Sequence, residues 1–408
     1  MNRNEVKEFA TLMKKEFPIY QNVDNLCYLD SAATSLKPKC VLDKMNEYYE
    51  NYGVNIHRGV YRLSYQATDE YDKARQKVAK FINADFSEVV FTKNVSEALN
   101  DISIMLARNL NEGDEILSSY LEHHSSVLPW MIRAKEKNLK LTYVPLREDG
   151  RLDVDNLEKY ISASTKIIAI SYVSNVLGYK VDIKKVIEVA HKHNIIVIVD
   201  AAQAVAHFRI DVKDLDCDFL AFSGHKMFGP TGVGVLYGKK KLLKKLDPVY
   251  YGGDMNEEVY VDKVDIKDIP YRFEVGTPNI AEAIGLGTAI DFIEEIGFDK
   301  IEAHELALKT YIEERIKEID GIDVYNKHFD SAILAFNVKG IHPHDASGFL
   351  DEDNICIRAG HHCAQLLTKW LNVNGTMRAS FSIYNDFDDV DKLIECIKKI
   401  VSFFKEFN

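Results

Sequence analysis

Asp200 and Lys226 are the pair whose types and spacing first point to chemistry. Asp200 closes the apolar run Ile195-Ile196-Val197-Ile198-Val199 and is followed by Ala201-Ala202-Gln203-Ala204. An aspartate at the carboxyl end of a buried parallel strand faces the ligand crevice of an open α/β sheet. There it needs a cationic partner, and a protonated pyridine nitrogen supplies one. Lys226 comes 26 residues later, after a second strand pattern, Asp218-Phe219-Leu220-Ala221-Phe222, within Ser223-Gly224-His225-Lys226. A lysine on such a loop forms a Schiff base with an aldehyde. Aspartate plus lysine is the pair that pyridoxal 5'-phosphate requires, because the carboxylate keeps the ring nitrogen protonated and the ring then draws electrons from its substrate. Ser223 and His225 flank the lysine as phosphate donors. Taken singly, a strand-end aspartate caps a helix and a lone lysine is solvated; the combination carries the argument.

The chain has six cysteines, Cys27, Cys40, Cys217, Cys356, Cys363 and Cys396, with no CxxC pair and no spacing that fits a zinc site or a disulfide framework. Most sit in strand or helix patterns and read as small core residues; Cys40 is less clear. Cys363 differs, because it follows Arg358-Ala359-Gly360-His361-His362. Glycine permits a turn, and nearby cations favour the thiolate. Local sequence alone leaves open whether this thiol is reactive.

These residues need a scaffold. Strand patterns at 88–92, 114–118, 141–144, 166–172, 195–200, 219–223 and 234–237 alternate with helical ones near 96, at 127–137 and at 183–193. That alternation predicts an α/β fold with a mostly parallel sheet flanked by helices. Beyond about residue 285 the pattern changes to one long helical stretch over 281–319, short strands at 332–338 and 355–358, and a final helix over 390–404. We expect three parts: an N-terminal helical segment (1–27) packed on the small domain, with Val6, Phe9, Leu12 and Met13 on one face; a large cofactor-binding domain (28–284); and a smaller α+β domain (285–408) carrying the Cys363 loop.

The 408 residues are ample for such a core. A net charge of −12 lacks the basic footprint that nucleic acid demands. No apolar run approaches 18 residues, so no membrane span is expected, and no signal-type apolar segment opens the chain. The cytoplasm is the expected location.

Across nearly its whole length the sequence resembles the group II (SufS-type) cysteine desulfurases, of the class V aminotransferase family within fold type I. The landmarks are Tyr28-Leu29-Asp30-Ser31-Ala32-Ala33, Asn55-Ile56-His57-Arg58-Gly59, Glu122-His123-His124, Ser174-Asn175-Val176-Leu177-Gly178, Ser223-Gly224-His225-Lys226, Arg272-Phe273-Glu274-Val275-Gly276-Thr277-Pro278-Asn279, Arg358-Ala359-Gly360-His361-His362-Cys363-Ala364 and Met377-Arg378-Ala379-Ser380. The resemblance implies that Lys226 is the Schiff-base lysine, that Asp200 pairs with the ring nitrogen, and that His123 stacks on the ring, with a further role as an acid. Gln203 and Asn175 would bond around the ring or the substrate. Ser96, at a helix start suited to an anion, would hold the phosphate with Ser223 and His225; the family usually carries a hydroxyl where this chain has Val95. Arg378 would grip the substrate carboxylate with two prongs, near Ala32 and Arg358. Thr277 would reach the phosphate of a partner subunit, making a homodimer part of the site.

The activity implied is removal of sulfur from L-cysteine, leaving L-alanine and a persulfide on Cys363. Only 14 residues separate Cys363 from Arg378. So short a loop implies a sheltered persulfide and a dedicated acceptor protein, SufU- or SufE-like, serving iron–sulfur cluster assembly. Selenocysteine lyase is the first alternative, and a non-catalytic cofactor-binding scaffold the second. In Gly340-Ile341-His342-Pro343-His344-Asp345 the favoured reading is a polar loop before a helix capped by Asp345; the alternative is that His342 meets a zinc-bearing acceptor. No metal site is expected in the chain itself.

Overall fold

In the computed structural model, which describes residues 1–405, the buried β-branched runs assemble the main sheet. After a two-residue strand β1 (Cys27–Tyr28), seven strands follow: β2 (Val89–Thr92), β3 (Glu115–Ser119), β4 (Lys140–Val144), β5 (Thr165–Ser171), β6 (Ile196–Asp200), β7 (Phe219–Ser223) and β8 (Gly234–Gly238). Their order is β2-β8-β7-β6-β5-β3-β4. The pairs β3–β4, β3–β5, β5–β6 and β6–β7 are parallel, while β8 runs antiparallel to both β2 and β7. Strands β3, β7 and β8 are buried along their whole length, as expected of a sheet covered by helices on both faces. The predicted α/β architecture is therefore present, as a mixed sheet.

A hairpin of β9 (Asn256–Val259) and β10 (Val264–Ile266) projects from the chain after the main sheet. A second sheet is built from β11 (Ile322–Val324), β12 (Ile333–Val338), β14 (Arg358–Gly360) and β15 (Thr376–Ser380), in the order β11-β12-β15-β14, all antiparallel. The single strand expected over 355–358 is in fact two. β13 (Ile355–Cys356) pairs in parallel with β1, and β14 joins β15 in the other sheet. Alternating residues in a strand point to opposite faces, so sequence pattern alone cannot reveal that consecutive residues pair with different partners.

The long helix expected over 281–319 also divides. Gly297, at φ 83°, ends the helix Ile280–Ile296 and begins Phe298–Arg315; only glycine takes that conformation freely. The first of these helices packs on Lys39–Asn51 and Arg62–Phe81, and it runs through position 284/285, where the sequence reading divides the chain. In the N-terminal helix Arg3–Glu16 the buried face is Val6, Phe9, Ala10 and Met13, whereas Leu12 is exposed. Phe9 packs edge-on against His304 and Arg3 bonds Asp391, tying this helix to Phe298–Arg315 and to the final helix Phe387–Lys405.

Two helices begin earlier than their patterns suggest. The helix at 127–137 starts at His124, and Pro343–Glu352 is preceded by His342 rather than capped by Asp345. In both, a histidine Nδ1 accepts the backbone N–H two residues on (His123 from Ser125, 3.1 Å; His342 from His344, 3.3 Å). Imidazole is not among the favoured cap side chains, so the start at His124 carries no sequence mark, whereas Pro343 at the first helical position marks the other.

Candidate active site

The parallel strands bring the chemistry together at their carboxyl ends, where open α/β sheets bind ligands. His123 follows β3, Asn175 follows β5, Asp200 ends β6, and Ser223 ends β7 just before the short turn Gly224–Lys226. Beside them β14 and β15 of the second sheet supply Arg358 and Arg378. Between the two sheets lies a cavity of about 370 Å³.

Four of the predicted phosphate residues, Val95, Ser96, Ser223 and His225, line this cavity. Val95 N–H donates to Ser223 Oγ at 2.8 Å, which leaves the serine's own proton free to donate to an anion. Val95 and Ser96 open the helix Val95–Ala107, capped by Asn94, so the positive end of its dipole faces the cavity. Gly234 makes the approach possible, because a Cβ there would lie 2.6 Å from Asn94 Cα. Burial draws His225 down to about 4, so this ring is neutral near pH 7.

Lys226, His123 and Asn175 also line the cavity. Burial lowers the Lys226 ammonium to about 8, opposed by the attraction of Asp200. Asp200 itself is buried one layer behind the lining, accepting from Ala202 N–H at 3.0 Å, and burial raises its carboxyl. A buried carboxylate whose attraction comes from a lysine of lowered basicity is poised to receive a second cation. Gln203 also lies behind the lining, donating to the Ala32 carbonyl at 2.6 Å. Asn175 donates to the His362 carbonyl at 2.8 Å, yet its Oδ1 is buried with no partner.

Ala32, Arg358, Cys363 and Arg378 line the remaining wall. Arg378 is 1% exposed and donates to Asn175 O (2.8 Å) and Asp30 Oδ1 (2.9 Å), while its Nε is buried without a partner. Arg358 Nη2 lies 3.9 Å from Cys363 Sγ, a cation beside a sulfur that must be negative to act as a nucleophile. Burial, with Lys226 next in effect, pulls His123 down to about 3. Because its Nδ1 accepts Ser125 N–H, the ring's proton is on Nε2. His123 is thus a neutral ring whose Nε2–H is the proton it can donate.

These residues fit pyridoxal phosphate. The cavity offers anion donors, a lysine of lowered basicity attracted by a buried carboxylate, and an unpartnered Asn175 oxygen and Arg378 nitrogen. Asp200, Gln203 and Thr277 are the predicted residues that do not line this cavity; the first two are buried behind it, and Thr277 lines a separate hollow of about 410 Å³ with Glu97, Asp101 and Tyr250. Asp30, the carboxylate on Arg378, carries no functional signal in the sequence beyond its place in Tyr28-Leu29-Asp30-Ser31. Its partner is 348 residues away, so no local signal marks the pair. Among the described residues no cluster of histidine, cysteine and carboxylate side chains could hold a metal, and no helix is long and apolar enough to cross a membrane.

Fold and site together define a pyridoxal-phosphate enzyme of fold type I. The aminotransferase class-V family model matches residues 27–393. A relative from Halalkalibacterium halodurans, named a probable cysteine desulfurase, is 47% identical over 406 residues, 99% of each chain. Among solved structures, the apo cysteine desulfurase of Thermococcus onnurineus aligns with a TM-score of 0.92 at 41% identity, covering 95% of this chain and 97% of that one. The cysteine desulfurase CsdA of Escherichia coli, in its S-sulfonic acid form, aligns at 0.91 and 37% identity, covering 97% and 98%. The chain belongs to the aminotransferase class-V family, among its cysteine desulfurases.

Proposed function

We propose that this protein is a cysteine desulfurase that takes sulfur from L-cysteine onto Cys363. The carrying observation is that Cys363, Arg358, Arg378 and Lys226 share one cavity, with Arg358 3.9 Å from the thiol. Bound pyridoxal phosphate supplies an electron sink that makes the substrate's carbon–sulfur bond breakable. Arg378 takes the substrate carboxylate, using the nitrogen that lacks a partner in the chain. The Lys226 amine, of lowered basicity, removes and returns protons at the substrate carbons. Asp200 would hold the protonated ring nitrogen of the cofactor, and His123 would donate as a neutral imidazole through Nε2. Cys363 Sγ attacks the substrate sulfur; the carbon–sulfur bond breaks, and its electron pair stays with the carbon skeleton, which takes up a proton. The balance is L-cysteine plus enzyme thiol giving L-alanine plus enzyme persulfide.

The persulfide passes to an acceptor protein of SufU or SufE type, for iron–sulfur cluster assembly in the cytoplasm. Two copies of the chain complete the site, with Thr277 of each reaching the phosphate bound by the other. The position of Thr277 outside its own chain's cavity supports that arrangement.

The test is alanine production from L-cysteine with a reductant, comparing the parent with Cys363→Ser and recording both visible spectra. Two yellow proteins, of which only the parent makes alanine, are expected. Equal alanine from the variant would replace this reading with a lyase that releases sulfur or selenium without Cys363.

A further inference from the structure

Cys363 sits in a turn that its residue types disfavour. His362 and Cys363 are consecutive non-glycine residues in the left-handed region, at φ 51° and 54°, with Gly360 at φ 115° just before them. Side chains other than glycine carry a steric penalty there, and such a conformation persists only where the surroundings hold it.

Part of that hold comes from a single residue on another element. His124 is the first residue of the helix His124–Lys137. Its backbone N–H, one of the donors left open at any helix start, bonds the Cys363 carbonyl at 2.6 Å. Its ring Nε2 accepts the N–H of Gln365 at 3.1 Å, 241 residues away in sequence. Gln365 in turn begins the short helix Gln365–Trp370. His124 therefore grips the chain at the thiol residue and again two residues beyond it. Acceptance at Nε2 requires a neutral ring with its proton on Nδ1. On the other side, Asn175 donates to the His362 carbonyl and the His362 ring bonds Thr376. The turn is held from one side by His124 and from the other by Asn175 and Thr376.

We propose that His124 is a positioning residue for the sulfur acceptor, its ring locking the left-handed turn that presents the Cys363 thiol to the cavity. This rests on Cys363 being the acceptor. The His124 ring does not line the cavity, so its loss should spare cofactor loading and cysteine binding and slow sulfur capture.

The experiment uses the holoenzyme and its His124→Ala, His124→Gln and Cys363→Ser variants. Alanine formation, the visible spectrum and iodoacetamide alkylation of Cys363, read on the peptide by mass spectrometry, are recorded for each. His124→Ala should lower kcat about tenfold while KM stays within about threefold, a split that marks a lost transition-state interaction rather than lost binding. Its Cys363 should alkylate roughly threefold faster or more, because the strained turn opens. His124→Gln, whose Oε1 can accept the same N–H, should restore both. Parent-like kcat in His124→Ala, or no rescue by glutamine, overturns the proposal. A folded His124→Ala that lacks the cofactor band overturns the proposal; if that variant does not fold, hydrogen exchange of the parent decides: the clamp requires the Gln365 amide to be protected, and free exchange overturns it. Full alanine production by Cys363→Ser would sink the acceptor reading and the clamp with it. An inactive Cys363→Ser beside a parent-like His124→Ala sinks the clamp alone.

Discussion

Arg358 and Arg378 stand directly opposite each other across the β14–β15 ladder. Like charges in that register repel, and both side chains line the cavity. Asp30 is the carboxylate in contact with Arg378, 2.9 Å from Nη2. It offsets the repulsion and fixes the guanidinium plane, leaving Nε for a ligand. Asp30→Ala should therefore raise KM for L-cysteine about tenfold, with kcat changed less than about threefold. Asp30→Asn keeps a hydrogen-bond acceptor and should stay closer to the parent. Initial rates of alanine formation across cysteine concentrations decide; an unchanged KM in the alanine variant refutes the role.

Glu122 is 1% exposed beneath the site, accepting the hydroxyls of Ser119 and Ser171 at 2.6 Å each. Burial pushes its carboxyl up to about 7. Its folded value thus lies above the unfolded one, so the stability its proton gives is complete below the unfolded value of about 4.3 and is lost as pH rises through 7. Glu122→Gln cannot ionise. Between pH 4.5 and 7.5 it should gain on the parent by up to about 3 kcal/mol. Urea midpoints at the two ends of that range measure the difference, and parallel curves would contradict it.

The Lys226 amine must be neutral to attack an aldehyde. Burial lowers it from its ordinary range to about 8. Cofactor-free protein should then rebind pyridoxal phosphate faster as pH rises, levelling off above about 8. Stopped-flow visible absorbance follows the rate; a midpoint near that of a free lysine, about 10.4, would show that Lys226 is not perturbed. Lys226→Ala should form no covalent adduct at any pH.

Arg75 has a fully buried side chain, bonded to both oxygens of Glu274 at 2.5 and 2.7 Å and to the Val89 carbonyl at 2.8 Å. Glu274 also accepts Phe91 N–H at 2.7 Å, so the pair pins the edge strand β2 to the segment that carries Thr277. Glu274→Ala leaves a guanidinium buried without its partner, which costs about 3–5 kcal/mol. Chemical denaturation should show that loss; a change below about 1 kcal/mol would mean the cavity floods and solvates the charge.

The strands of the main sheet were legible because apolar or β-branched residues cluster over strand length between turn or helix signals, as in Ile196–Asp200 and Phe219–Ser223, a purely local signal. Asp200 and Lys226 were legible for a related reason. A residue at the carboxyl end of a parallel strand has its position set by the strand itself, so the type and order of strand-end residues already imply a shared crevice. The helix start at His124 was hidden because an imidazole performs the capping; the start at Pro343 was marked by its proline at the first helical position, although the cap itself is again an imidazole. The break at Gly297 was hidden because a glycine inside a helical pattern is tolerated as often as it terminates one.

The sequence by itself determined the α/β alternation, the strand-end residues and the isolated cysteine among cations, since each depends on neighbours along the chain. Only the tertiary structure decided that Asp30 meets Arg378, that Arg358 opposes Arg378, and that His124 holds the turn around Cys363. These contacts join residues up to 348 positions apart, counted from Asp30 to Arg378. They follow from how two sheets are set against each other, which no periodicity in a single chain encodes.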